Sequence, residues 1–179
     1  MRILHTSDWH LGRQFHGVAL EEDHDHALVQ ILSIIDDQQP DVLIVAGDIF
    51  DRANPPQSAL KRLSEFLTTV RATSSAAIVL IAGNHDSAAQ IGALGVLATD
   101  GEAIVRGPLD ENEKPLIISD ADGPVAISAL PFAFEYAARL CLRRRGKLPV
   151  PQMSFGLSSP VPASTLPTEC AGSSLPMHS

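Results

Sequence analysis

Apolar positions along this chain cluster into strand-length runs that stop abruptly on small and polar residues. Arg2 to Thr6 (RILHT), Val42 to Ala46 (VLIVA) and Ile78 to Ala82 (IVLIA) are such runs, the last two unbroken and rich in β-branched residues. They predict strands buried on both faces, as in a parallel sheet. Between them the period lengthens. After an acidic first turn of Glu21, Glu22 and Asp23, the residues Ala27, Leu28, Ile31, Leu32 and Ile35 keep helical spacing to Asp36. Leu60, Leu63, Phe66, Leu67 and Val70 do the same behind Asn54-Pro55-Pro56, which reads as an N-cap with proline at the first helical position. Strand, helix, strand with such a crossover is a βαβ unit, and the fold class is α/β. The third strand leads into SAAQIGALGVLA, a short helix whose first-turn N–H groups are expected at the sheet edge. From Ala103 the pattern becomes AIVR, PLIIS and PVAISALP, with a turn at Asp120 to Gly123, and reads as the start of a second sheet.

Beyond about Leu142 no period survives. Arg143, Arg144, Arg145 and Lys147 form a basic cluster, and 149–179 holds six of the thirteen prolines, seven serines and one charged side chain, Glu169. Such a segment cannot bury enough apolar surface to offset its ordering entropy. The chain therefore divides into an ordered domain over 1–142 and a Pro/Ser-rich tail over 143–179, expected to be disordered. Whether the tail is native or the product of a frame change near Leu142 stays open.

Charge narrows the functional classes. Lys+Arg 13 against Asp+Glu 21 gives a net charge of −8, the wrong sign for holding nucleic acid by bulk electrostatics. Two cysteines, Cys141 and Cys170, make no disulfide framework, and no apolar run approaches a membrane span, so a reducing cytoplasm and no membrane are expected.

All three buried runs end on chemistry. The first delivers Ser7-Asp8-Trp9-His10, the second Gly47-Asp48, the third Gly83-Asn84-His85-Asp86. Open α/β sheets place ligands at the carboxyl ends of their strands. One Gly-Asp after a strand is ordinarily a turn, but three strand ends would push Asp, His, Asp, Asn and His out of one sheet edge. Carboxylate, imidazole and amide oxygen together suit a divalent ion of intermediate hardness, such as manganese, iron or zinc. Other polar residues near these motifs carry weaker readings. Arg13 and His16, on a loop bracketed by Gly12 and Gly17, could touch a substrate or simply be solvated. Asp51 and Arg52 could orient the metal carboxylate, meet the substrate or form an ion pair that secures the loop. His24 and His26 read as helix-surface residues or supports behind the site, and His5 as a packed, hydrogen-bonded core histidine.

The segments HTSDWHLG, AGDIFDRANPP and AGNHDS, in this order and at these spacings, resemble the calcineurin-like metallophosphoesterase superfamily and, within it, the SbcD-type nuclease family. The resemblance runs from Met1 to about Leu140. It implies a two-layer β-sandwich flanked by helices, here truncated, holding two divalent ions, with Mn(II) the expected metal. By the family pattern Asp48 bridges the ions, Asp8 and His10 serve the first, Asn84 serves the second through its amide oxygen, and His85 is the catalytic histidine, with Asp86 holding or polarising it. The implied activity is endonuclease and 3′ to 5′ exonuclease hydrolysis of DNA in recombination, replication and repair. An SbcC-like coiled-coil ATPase is the implied partner, in a heterotetramer that contains a homodimer of this chain. The pattern is incomplete: the family's later Gly-His and Gly-His-x-His motifs do not occur, and the only histidine after His85 is His178. Two other functions stay open on the residues alone, a phosphatase of the same superfamily and a non-catalytic fragment.

Overall fold

The computed structural model describes residues 1–95, 103–110 and 112–144, the last five by backbone only. The expected tail lies, from 145 onward, outside the described residues, as do Cys170 and His178. Strands β1 (Ile3–Thr6), β4 (Val42–Ala46), β5 (Ala77–Ile81) and β6 (Ala103–Arg106) form a four-stranded sheet in the order β1-β4-β5-β6. All its pairings are parallel, with Ile3 opposite Val42, Val42 opposite Ala77 and Ile78 opposite Ala103. Each crossover contains a helix: α1 (Glu21–Gln38), α2 (Gln57–Thr73) and the short α3 (Ala88–Ala93). Before α1 the chain makes a small hairpin of β2 (Gln14–Phe15) and β3 (Val18–Ala19), where a bare loop is expected from the glycines. A second hairpin, β7 (Leu116–Asp120) with β8 (Gly123–Ile127), precedes α4 (Glu135–Arg144).

The two faces of the parallel sheet have separate cores. On one, Leu43, Val45, Ile78 and Leu80 pack with Leu28 and Ile35 of α1 and with Leu63, Phe66, Leu67 and Val70 of α2. On the other, Val42, Ala77, Val79 and Ile104 meet Leu116 from the β7–β8 hairpin and Ala129 after it. The β7–β8 hairpin thus faces one side of the parallel sheet and the helices α1 and α2 cover the other, which gives the two sheet layers of the expected sandwich with helices on the outside of the first. Arg62 of α2 ties down α1 by donating to Asp25 and Glu21, and Ser58 donates to Glu21. The Ser58 hydroxyl and Arg62 hold the Glu21 carboxyl below its ordinary pKa, and Arg62 does the same for Asp25.

Several expectations are corrected here. AIVR does not open the second sheet: β6 pairs in parallel with β5 and extends the first. His5 is exposed and Ile3 is 49% exposed, because β1 is an edge strand and nothing described covers its outer face. The α2 N-cap is Pro56, whose carbonyl accepts from Ala59 and Leu60, and Asn54 lies outside the helix. Leu60, expected in the core stripe, is 41% exposed, and Ala59 is buried in its place. No helix among the described residues is long and apolar enough to cross a membrane.

Candidate metal centre

The apolar residues inside the polar motifs explain why the loops stand where they do. Leu11, Ile49 and Phe50 are each at most 1% exposed, so the chain beyond β1 and β4 is anchored in the core directly behind its polar residues. Trp9 turns inward, its indole N–H donating to Thr6 Oγ1 at 2.9 Å and its ring meeting Phe66 edge to face at 5.0 Å. The neighbours on either side of it, Asp8 and His10, are left for the sheet edge. Main-chain bonds then lace the two loops together: Asp8 N–H to Gly47 carbonyl at 3.1 Å, His10 N–H to Asp48 carbonyl at 2.9 Å and Leu11 N–H to Ile49 carbonyl at 2.9 Å.

These loops hold unusual backbone angles. Asp8, His10 and Asp48 have φ of 58°, 47° and 49°, in the left-handed region that side-chain-bearing residues seldom occupy. Such strain costs on the order of 1 kcal/mol per residue and tends to collect at functional sites. Here it falls on the three residues whose ligand atoms converge. One ligand atom from each of Asp8, His10 and Asp48 lies within 4.8 Å of the others. His10 Nε2 is 3.9 Å from Asp8 Oδ1. Two carboxylates and an imidazole at this separation fit a divalent ion that takes mixed oxygen and nitrogen ligands, with open positions left for water.

The third loop joins through carboxylates. Asp48 Oδ1 accepts the His85 N–H at 3.0 Å, and Gly83 permits the approach, since a Cβ there would stand 2.1 Å from that same oxygen. Asp86, buried at 9% exposure, accepts from Gly83 N–H at 2.8 Å, Ile49 N–H at 3.2 Å and Phe50 N–H at 2.9 Å. Both its oxygens are committed to backbone, so Asp86 staples the β4 and β5 loops together and does not hold the His85 ring. That task falls to Asp51, whose carbonyl lies 2.9 Å from His85 Nδ1. A carbonyl only accepts, so Nδ1 carries the proton and Nε2 is free for chemistry. The rings of His85 and His10 meet edge to face at 4.9 Å.

Asn84 and His85 are exposed, and Asn84 lines an open cavity of about 280 Å³ with Asp8, Asp48, Gly83 and Phe132. Phe132 arrives because its N–H donates to the Ala82 carbonyl at 2.9 Å, and no pattern in the sequence marks it. Arg13 is half exposed, 3.8 Å from Asp51 Oδ1, and His16 meets the Phe15 ring edge to face in the hairpin. Neither His24 nor His26 is among the grouped metal-binding side chains. His24 is partly buried between the helices, and burial, with Arg62 nearby, depresses its pKa. In α3, Ser87 Oγ accepts the Gln90 N–H, so that first-turn donor is already taken.

Comparison with known proteins is concordant. The chain is 32% identical over 133 residues to SbcD, the D component of the SbcCD nuclease, from Staphylococcus saprophyticus, a match covering 74% of this chain and 34% of that protein. It is 44% identical over 91 residues to the protein of the same name from Escherichia coli K12, covering 51% and 22%. With that of Rhodobacter capsulatus the identity is 38% over 142 residues, covering 74% and 35%. The chain spans about a third of the length of the curated relatives it matches. The family model for calcineurin-like phosphoesterases matches residues 1–130, the stretch that contains every strand end described above and both sheets, and the chain belongs to that family.

Proposed function

We propose that this chain is the N-terminal, metal-holding part of a manganese-dependent DNA nuclease of the SbcD type, hydrolysing phosphodiester bonds with an SbcC-like ATPase as partner. The observation that carries the reading is the convergence of Asp8, His10 and Asp48 within 4.8 Å, in a chain similar over most of its length to the D component of SbcCD nucleases. Divalent ions held by these residues would supply Lewis acidity for phosphodiester hydrolysis at neutral pH. Asp8, His10 and Asp48 would hold one ion, and Asp48 with the Asn84 amide oxygen would be the residues available to a second. His85, with Nδ1 held on the Asp51 carbonyl, has Nε2 available to give a proton to the departing oxygen. Because the net charge is −8, DNA is gripped through the metal centre and the partner ATPase more than by the surface of this chain.

The expected behaviour of the 179-residue chain follows from its ligands. Asp8, His10 and Asp48 would give one ion three protein ligands, whereas a second would have Asp48 and Asn84 alone. The chain should bind about one manganese tightly and nick DNA far more slowly than a relative that has the later histidines. A plasmid-nicking assay in manganese, run beside turnover of a nitrophenyl phosphomonoester, tests this. Slow nicking abolished by His85→Ala supports the nuclease reading, whereas monoester turnover without nicking assigns the site to a phosphatase.

A further inference from the structure

In the loop that follows β1, His10 Nδ1 is buried and makes no hydrogen bond. An imidazole that holds an ion through one nitrogen carries its proton on the other, and that N–H needs an acceptor to fix ring and tautomer. Asp51 Oδ1 stands 3.7 Å from His10 Nδ1, and His10 Nε2 lies toward Asp8. Closing 3.7 Å to the usual hydrogen-bond length of about 2.8 Å takes a side-chain shift of about 0.9 Å. The same residue already accepts from His85 Nδ1 through its carbonyl. Its own N–H donates to the Leu11 carbonyl at 3.2 Å, which fixes Asp51 against the loop that carries His10. Arg13 Nε stands 3.8 Å from Asp51 Oδ1.

We propose that Asp51, whose carbonyl holds His85, is also the positioning residue for His10. Its carboxylate accepts the Nδ1 proton of His10 as its carbonyl accepts that of His85, so that each ring keeps Nε2 for its task. An ion pair with Arg13 is the simpler role for this carboxylate, but a half-exposed pair 3.8 Å apart contributes little and leaves the buried His10 nitrogen unexplained. The metal side of the proposal rests on the reading given under Proposed function. The tautomer side stands without it.

The test uses the full 179-residue chain and its Asp51→Ala, Asp51→Asn and Arg13→Met variants, with ring nitrogens followed by ¹⁵N NMR and Mn²⁺ binding by electron spin resonance. In the parent, both histidines should be protonated at Nδ1. Asp51→Ala should release the tautomer of His10 while leaving that of His85, whose acceptor is main chain, and should weaken Mn²⁺ binding by about 10 to 100-fold. Asp51→Asn, which keeps an acceptor oxygen and nearly the same shape, should preserve the His10 tautomer with a several-fold loss of affinity. It carries the test if the alanine variant does not fold, because a free or reversed His10 tautomer in it would contradict the proposal, as would a His10 unchanged in Asp51→Ala. Arg13→Met should fall between parent and Asp51→Asn in affinity. No manganese bound by the parent, with His10 still responding to Asp51→Ala, would remove the metal reading and leave the positioning role intact. Manganese bound equally by all four chains would remove the positioning role and leave the metal reading.

Discussion

On the side of β1 and β4, Asp8, His10 and Asp48 sit on two loops laced by main-chain bonds and backed by buried Leu11, Ile49 and Phe50, whereas on the side of β5, Asn84 and His85 are exposed and tied in through the carboxylates of Asp48 and Asp86. The first half converges three ligand atoms; the second offers an amide and an imidazole. A backbone lattice needs no side chain to survive mutation, so the first half is expected to tolerate the loss of one ligand without losing its shape. The second half depends on two carboxylates, and both reach it from or toward the β4 loop. On the proposed reading one half is therefore the metal site, and the other is an arrangement that the first half and Asp86 hold in place.

Substitutions can break that contrast in order of size. Asp48→Ala strikes both halves, taking a ligand from the first and the acceptor of the His85 N–H from the second. Manganese affinity, measured by titration, should fall by more than the roughly 10- to 100-fold that loss of a hydrogen-bond partner of a metal ligand costs. Next comes Asp86→Ala, which strands three backbone N–H groups at about 1 kcal/mol or more each. A loss of about 3 kcal/mol in urea unfolding is a large part of the roughly 5 to 15 kcal/mol that typical domains possess. Asp86→Asn keeps one acceptor oxygen and should lose roughly half as much; equal loss in the two variants would show that charge and not hydrogen bonding holds the staple. His85→Ala separates function from construction: hydrolysis should fall by about 10² to 10⁴, while manganese affinity changes less than about twofold. A large drop in manganese binding would make His85 a ligand instead.

Much of this architecture is legible in the residues, and the failures have physical causes. VLIVA and IVLIA announce central strands because both neighbours and both layers bury them. RILHT has a similar length but lies at the sheet edge, and nothing local distinguishes an edge from a centre, so His5 and Ile3 are exposed where a core was expected. AIVR is as short as the hairpin strands after it, and only its long-range partner β5 assigns it to the parallel sheet. At the site, Asp8, His10, Asp48 and Asn84 are suggested by residue type at strand ends. The stapling role of Asp86 is not, because its backbone donors lie 36 and 37 residues away as well as three. Asp51 is visible as a charged neighbour of Asp48, yet its use of a carbonyl for one histidine leaves no trace in side-chain chemistry.

The smallest expected effect concerns pH and lies away from both halves. Burial depresses the pKa of His24 from its ordinary 6.5, so the folded chain binds fewer protons there than the unfolded chain does. Stability should be fully present above pH 6.5 and decline as the pH falls from there toward the folded-state value. His24→Gln should flatten that part of the profile and leave a separate decline, in the range below about pH 4 where Glu21 and Asp25 take up protons and lose Arg62. Urea midpoints between about pH 5 and 8 read the first effect.

The most direct test of the metal centre is elemental analysis of the parent chain and its Asp48→Ala variant after gel filtration in manganese. One tightly held manganese per parent chain and none in the variant is the expected result. No metal in the parent, or the same amount in both, would contradict a centre built on Asp8, His10 and Asp48, and two tightly held ions in the parent would mean that the second half is a complete site after all.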